Sequence, residues 1–199
     1  MEQDIVVSPP SAWDARTLRG LLDICGEDRA VNGRSPFHPA SQALIVHRLG
    51  EWLAHPGRNR LVARVGGFVQ HAAAAYVRNY IGYEISPGAK IGRRVHFAHQ
   101  HGIVIAPETE IGDDALILHE VTVGLRMDAQ GGTPEAGARI GARVRIGTGA
   151  RILGAVRIGD GANIGPNAVV MTDVPENASV IAAPSRVLRL RSADDRDAS

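Results

Sequence analysis

From Ile85 onward the aliphatic residues return every six positions. Ile85, Ile91 and Phe97 keep that spacing, and after a slip of two residues Ile105, Ile111, Ile117 and Val123 resume it. A longer interruption runs from Gly124 to Arg139, and then Ile140, Ile146, Ile152, Ile158, Ile164 and Val170 hold the register without a break. Neither a helix, with about 3.6 residues per turn, nor a flat strand, with side chains alternating in pairs, repeats in this way. Gly92, Gly112, Gly141, Gly147, Gly159 and Gly165 each follow a repeat residue directly. Ala89, Val95, Ala115, Val144, Ala150, Val156, Ala162 and Ala168 lie four places after one. The pattern predicts a parallel β-helix, in which each hexapeptide is one short side of a coil and its aliphatic residue points inward. Three sides make a triangular coil of about eighteen residues, each coil about 4.8 Å above the last. About five coils fit between Ile85 and Val174.

The chain before Ile85 has a helical rhythm. Ala43, Val46, Leu49 and Leu53 form one stripe, and Leu61, Val65, Phe68, Val69, Ala72, Tyr76 and Tyr80 form another, weakened by Gly66-Gly67. Three helices are expected, with Ser11 and Ser41 as N-caps, Pro36, Pro39 and Pro56-Gly57 in the connections, and the apolar faces serving as packing surfaces. The expected division is a helical region over 1–81, a β-helix over 82–188 and a polar, disordered tail over 189–199.

Composition narrows the function. The 22 basic residues nearly cancel the 21 acidic ones, so the electrostatic footprint of a nucleic-acid or anionic-membrane binder is missing. Cys25 is the only cysteine, which excludes an intrachain disulfide or a multi-cysteine zinc site. No apolar run approaches a membrane span, and Met1-Glu-Gln-Asp-Ile-Val-Val carries no targeting pattern, so a cytoplasmic protein is expected. The 23 glycines beside only 4% aromatics suit tight corners around a narrow aliphatic core.

The order of features resembles that of the serine O-acetyltransferases, a branch of the left-handed β-helix acyltransferases. The resemblance runs from about Gln42 to Arg186: helices, then Glu84-Ile-Ser-Pro-Gly-Ala-Lys-Ile-Gly92, then His99 ahead of Gly102-Ile-Val-Ile105, then the coils, closing on Ala183-Pro184-Ser185-Arg186. It implies His99 as general base and Glu84 as the carboxylate that orients it. The chemistry is sound on its own terms. A hydroxyl attacking a thioester needs a base of pKa near 7, and a carboxylate on the far imidazole nitrogen fixes the tautomer. The resemblance further implies acetyl-CoA as acyl donor, lying along the coils between subunits. Gly124, Gly147, Thr148, Gly165 and Pro166 are its candidate backbone contacts, and Arg186 lies near the nucleotide end, with Arg189 and Arg191 as possible phosphate partners. No metal is expected. A homotrimer or a dimer of trimers is, with the helical region joining trimers.

Three departures from that family concern the acceptor pocket. The family's Asp before the catalytic His is Ala98 here; its Gly-Gly-Thr-Gly loop reads Gly124-Leu-Arg-Met127; and its Arg-His-Pro is absent. These departures predict an acceptor other than free serine, such as a modified hydroxy amino acid, a sugar or a specialised-metabolite hydroxyl. His119 is twenty residues after His99, one coil plus the slip, and should stack on the same face; with Glu120 and Arg126 it is a candidate acceptor contact. The chain ends in Ser199, not the isoleucine of members that dock into cysteine synthase, so no such complex is expected. Two other classes compete. A γ-carbonic-anhydrase-like zinc enzyme would use the histidines between 96 and 119, but that family's later histidine pair has no counterpart after His119. A non-catalytic β-helix scaffold is the third.

Overall fold

The structure, a computed structural model, describes residues 5–126 and 136–186. Met127, the middle of the long interruption and the expected tail at 189–199 lie outside the described residues. Three helices come first, α1 (Leu18–Val31), α2 (Pro39–Ala54) and α3 (Arg60–Tyr76), and a π-helical turn (Val77–Ile81) continues α3. The short strands follow: β1 (Tyr83–Ile85), β2 (Lys90–Ile91), β3 (His96–Phe97), β4 (Ile103–Ile105), β5 (Glu110–Ile111), β6 (Leu116–Ile117) and β7 (Thr122–Gly124). After the interruption come β8 (Arg139–Ile140), β9 (Arg145–Ile146), β10 (Arg151–Leu153), β11 (Arg157–Ile158), β12 (Asn163–Ile164), β13 (Val169–Val170) and β14 (Ser179–Val180).

The strands form three parallel sheets, ordered β1-β4-β7-β10-β13, β2-β5-β8-β11 and β3-β6-β9-β12-β14, which are the three sides of a β-helix. Four coils are complete, and the middle side of the fifth is a single bridge, Ile158 to Val174. The six-residue period works because it places like on like. Ile91, Ile111, Ile140 and Ile158 stack in register on one side, and Phe97, Ile117, Ile146 and Ile164 on another. All are buried, with Ala115, Ala150 and Ala162 filling the narrow corners. At Gly112 an added Cβ would lie 2.5 Å from Ala142 N, so the corner admits no side chain. Glu110 still pairs with Arg139, so the interruption leaves from a corner without breaking the stack.

The helices attach to the first coil through polar groups that the apolar stripes did not reveal. α2 buries Ala43, Leu44 and Leu53, and between them His47 and Arg48. Arg48 is fully buried: its Nε donates to Asp28 at 2.9 Å, its Nη1 to Ile91 O at 2.7 Å and Glu51 at 3.1 Å, and its Nη2 to Gly92 O at 2.6 Å. Asn32, beyond α1, donates to Val95 O and accepts from Phe97 N, both at 2.9 Å. These backbone groups flank β2 and β3, the end strands of their sheets, so the side chains cover edges that have no preceding coil to pair with. Burial opposes the charge on Arg48, but Asp28 and Glu51 outweigh it and hold the guanidinium charged.

Both expected serine caps are corrected. Thr17 caps α1, accepting from Gly20 N, and α2 begins at Pro39, whose fixed φ suits a first helical position. Ser41 therefore falls inside the helix, where its hydroxyl donates to Asn32 O. Ser11 belongs to a segment that runs back across the β-helix. Its N–H donates to Asp113, Ser8 bonds Asp160 through both N–H and hydroxyl, and Val6 N donates to Glu176. Asp113 and Asp160 also accept Arg93 N and Ala142 N, so each carboxylate joins a corner to this strap. The expected packing face of α3 is unpartnered within one chain: none of the helix's residues is buried, and Leu61 and Phe68 are 71% and 78% exposed.

Two stability predictions follow from α2. Replacing Arg48 by Met strands the Asp28 carboxylate and the two edge carbonyls, and should cost about 3–5 kcal/mol in chemical unfolding. Burial, and then Arg48, push the His47 imidazole down from 6.5 to about 3. Above pH 6.5 it is neutral in both folded and unfolded chains; between 6.5 and about 3 only the unfolded chain takes the proton. This group alone should lower stability by about 1.4 kcal/mol for each unit of acidification across that window. Urea titrations at pH 7 and pH 5 should show the difference shrinking in His47→Phe.

Candidate active site

His99 sits where the chain turns from β3 towards β4. The turn needs left-handed backbone, and His99 (φ 69°), His101 (φ 85°) and Gly102 (φ 70°) supply it. Two of these are not glycine, an uncommon and costly choice that calls for outside support. Tyr83, packed edge-on against Phe97, provides some: its hydroxyl donates to His99 O at 2.8 Å, and burial pushes its pKa up to about 12, so it stays a donor. One coil on, the matching turn carries His119, whose ring meets that of His99 edge-on at 5.6 Å between centroids. The slip counted in the sequence thus stacks the two imidazoles.

A cavity of about 460 Å³ opens between them, lined by His38, Pro39, His99, Gln100 and His119. His38 was missed in the sequence, where it is just a residue ahead of a helical proline. Among the described residues, its Nδ1 and that of His119 are buried without a hydrogen-bond partner. Burial first, then the neighbouring His38 and His99, hold His96 below the ordinary imidazole range, so four histidines share this corner. Among the described residues no group of three or more His, Cys, Asp or Glu side chains is arranged to hold a metal ion.

Other expected members lie elsewhere. Among the described residues no hydrogen bond or ion pair joins Glu84 to His99; Glu84 lines a separate cavity of about 630 Å³ under α2 and α3, beside His47, Glu51 and Arg78. Glu120 and Arg126 do not line the His99 cavity. Arg126 is at the far end of β7, against Gly154, because the strand separates it from the His119 turn. His99, His119 and Arg126 therefore do not form one cluster within this chain.

The expected donor contacts fall mostly on one line. Gly149 N donates to His119 O, and Asn167 N to Thr148 O, so the edge that starts at His99 and His119 continues through Gly147-Thr148-Gly149 to Gly165-Pro166. A Cβ on Gly147 would lie 2.7 Å from Pro166 N, which keeps this edge bare backbone. An extended arm with amide groups fits such a strip. Gly124 is on the next corner, paired with Leu153, and Arg186 is exposed at the end of the described chain.

Comparison with known proteins agrees with this fold. Residues 137–171 match the bacterial transferase hexapeptide (six repeats) family. The serine acetyltransferase of Mycobacterium tuberculosis is 39% identical over 181 residues, covering 84% of this chain and 73% of that protein. Among solved structures, soybean serine acetyltransferase complexed with serine superposes with a TM-score of 0.61 at 29% identity, over 84% of this chain and 69% of that one. A serine acetyltransferase in complex with CoA gives 0.60 at 27% identity, over 86% and 71%. At 39% identity over 84% of this chain and 73% of that relative, this chain belongs to the serine acetyltransferase family of O-acetyltransferases.

Proposed function

We propose that the chain acetylates the hydroxyl of L-serine, with His99 as general base. Family membership makes it an acetyl-CoA-dependent O-acetyltransferase; the acceptor and the residue roles are the further steps taken here. The observation that carries the reading is the meeting of His99 with His119 at the head of the bare-backbone edge, in a chain 39% identical to a serine acetyltransferase. His99 takes the hydroxyl proton as the oxygen attacks the thioester carbonyl carbon. The C–S bond then breaks, and the imidazolium returns the proton to the departing CoA sulfur. The glycine edge at 147–149 and 165–166 holds the donor through backbone groups, with Arg186 towards its nucleotide end. Glu84 is exposed on β1; as the orienting carboxylate it would need to leave the α2–α3 cavity and approach the His99 ring. His38 and His119 supply the remaining polar walls.

A homotrimer or a dimer of trimers suits the unpartnered apolar face of α3. The alternative acceptor, a hydroxyl compound other than free serine, is favoured by Ala98 and by Leu125-Arg126 in place of the family's glycine loop. Glu120 and Arg126 enter that reading only if a neighbouring subunit completes the site. The names of the relatives support serine instead.

His99→Ala should reduce transfer on the order of 10²–10⁴-fold while CoA affinity stays within about twofold. Glu84→Gln should cost less, and a variant with unchanged kcat removes Glu84 from the machinery. Kinetics with L-serine decide the acceptor: ordinary turnover with KM in the low-millimolar range or below supports serine, and failure to saturate favours the alternative.

A further inference from the structure

The edge that carries His99 and His119 leaves two backbone acceptors out of its ladder. Along it Glu120 N donates to His101 O, Gly149 N to His119 O and Asn167 N to Thr148 O. Among the described residues the carbonyls of Glu120 and Gly149 receive no backbone N–H. One side chain takes both: Nη1 of Arg151, the first residue of β10, donates to Glu120 O and, at 2.8 Å, to Gly149 O. Arg151 pairs with Thr122 one coil earlier, so its guanidinium reaches back a whole coil to the turn that follows His119.

That turn, like the His99 turn above it, holds a non-glycine residue in left-handed backbone and needs support. Gly149 holds φ 71° as a glycine, at no steric cost, whereas Glu120 holds φ 59° with a Cβ. The left-handed region costs such a residue roughly 1–2 kcal/mol, and it persists only where neighbours over-determine it. The carbonyl of His119 is pinned by Gly149 N and that of Glu120 by Arg151, so both peptides flanking the turn are tied to the coil below. What they fix is the direction in which His119 leaves the backbone, and so the edge-on contact of its ring with His99.

We propose that Arg151 is a positioning residue for acetyl transfer: by holding the Glu120 carbonyl it sets the His119 ring against His99. This rests on His99 being the general base. Arg151 lies outside the His99 cavity and acts on the reaction only through the turn.

Steady-state kinetics of Arg151→Ala, His119→Ala and the double variant test it. Arg151→Ala should lower kcat about tenfold with KM for acetyl-CoA within about twofold, and guanidinium ion at low, non-denaturing concentration should restore part of the loss. In the His119→Ala background the same change should cost less than about twofold. Equal losses in the two backgrounds overturn the proposal, as does a full-rate Arg151→Ala enzyme. If His119→Ala is too slow to measure, the imidazole ¹³C resonances of His99 and His119 decide: Arg151→Ala must shift both, and unchanged resonances overturn it. Failure of the base assignment is separate, since it would appear as full transfer by His99→Ala whatever Arg151 does.

Discussion

Every coil of this protein takes its backbone partners from the coil before it. Parallel strands must stay about 4.8 Å apart for their N–H and C=O groups to meet, so whatever sits at one position must fit directly over its counterpart. Isoleucine over isoleucine satisfies this along the sides. Where one coil's corner backbone lies against the next it favours glycine and small residues; the 2.5 Å from a hypothetical Gly112 Cβ to Ala142 N measures how little room remains there. The same dependence poses a problem at the start, where the first coil has no predecessor. Arg48 and Asn32 answer it by presenting side-chain donors and acceptors where a preceding strand would have placed backbone ones.

The site is a by-product of this stacking. Residues separated by one coil in sequence become neighbours along an edge, so an imidazole from one turn is placed over an imidazole from the next without any long-range fold. Below them the edge continues through Gly147, Gly149 and Gly165, with Thr148 and Pro166 between them. The proposed general base and the proposed donor strip thus come from a single geometric rule, and the N-terminal helical region adds only His38 and Pro39 to the cavity walls.

How much of this was legible depended on whether the signal was local. The coils could be read at once, because each hexapeptide repeats the same instruction, and counting the two-residue slip was enough to bring His119 to His99. The helices were legible as helices but not in their packing. A stripe drawn through Val46 and Leu49 passes over His47 and Arg48, since polar residues are buried only where partners from distant elements meet them, and the partners of Arg48 lie at 28, 51, 91 and 92. His38 was invisible for the same reason. Arg126 is near His119 in sequence but not in space within one chain, because β7 carries the chain away from the His119 turn. The serine caps failed to Pro39, which begins its helix earlier, and to the acidic corners, which hold Ser11 elsewhere.

Those acidic corners have a consequence for the order in which the molecule can be completed. A solenoid whose coils touch only their neighbours can build outward one coil at a time as the chain emerges from the ribosome. The strap at residues 6–11 lies ahead of the coils in the chain, yet its carboxylate partners are Asp113, Asp160 and Glu176. The strap can meet Asp113 once the second coil exists, but its contacts with Asp160 and Glu176 must wait for the last coils. Its closing ties the last coils back to the second, so that fraying of the last coil is no longer independent of residues 6–11.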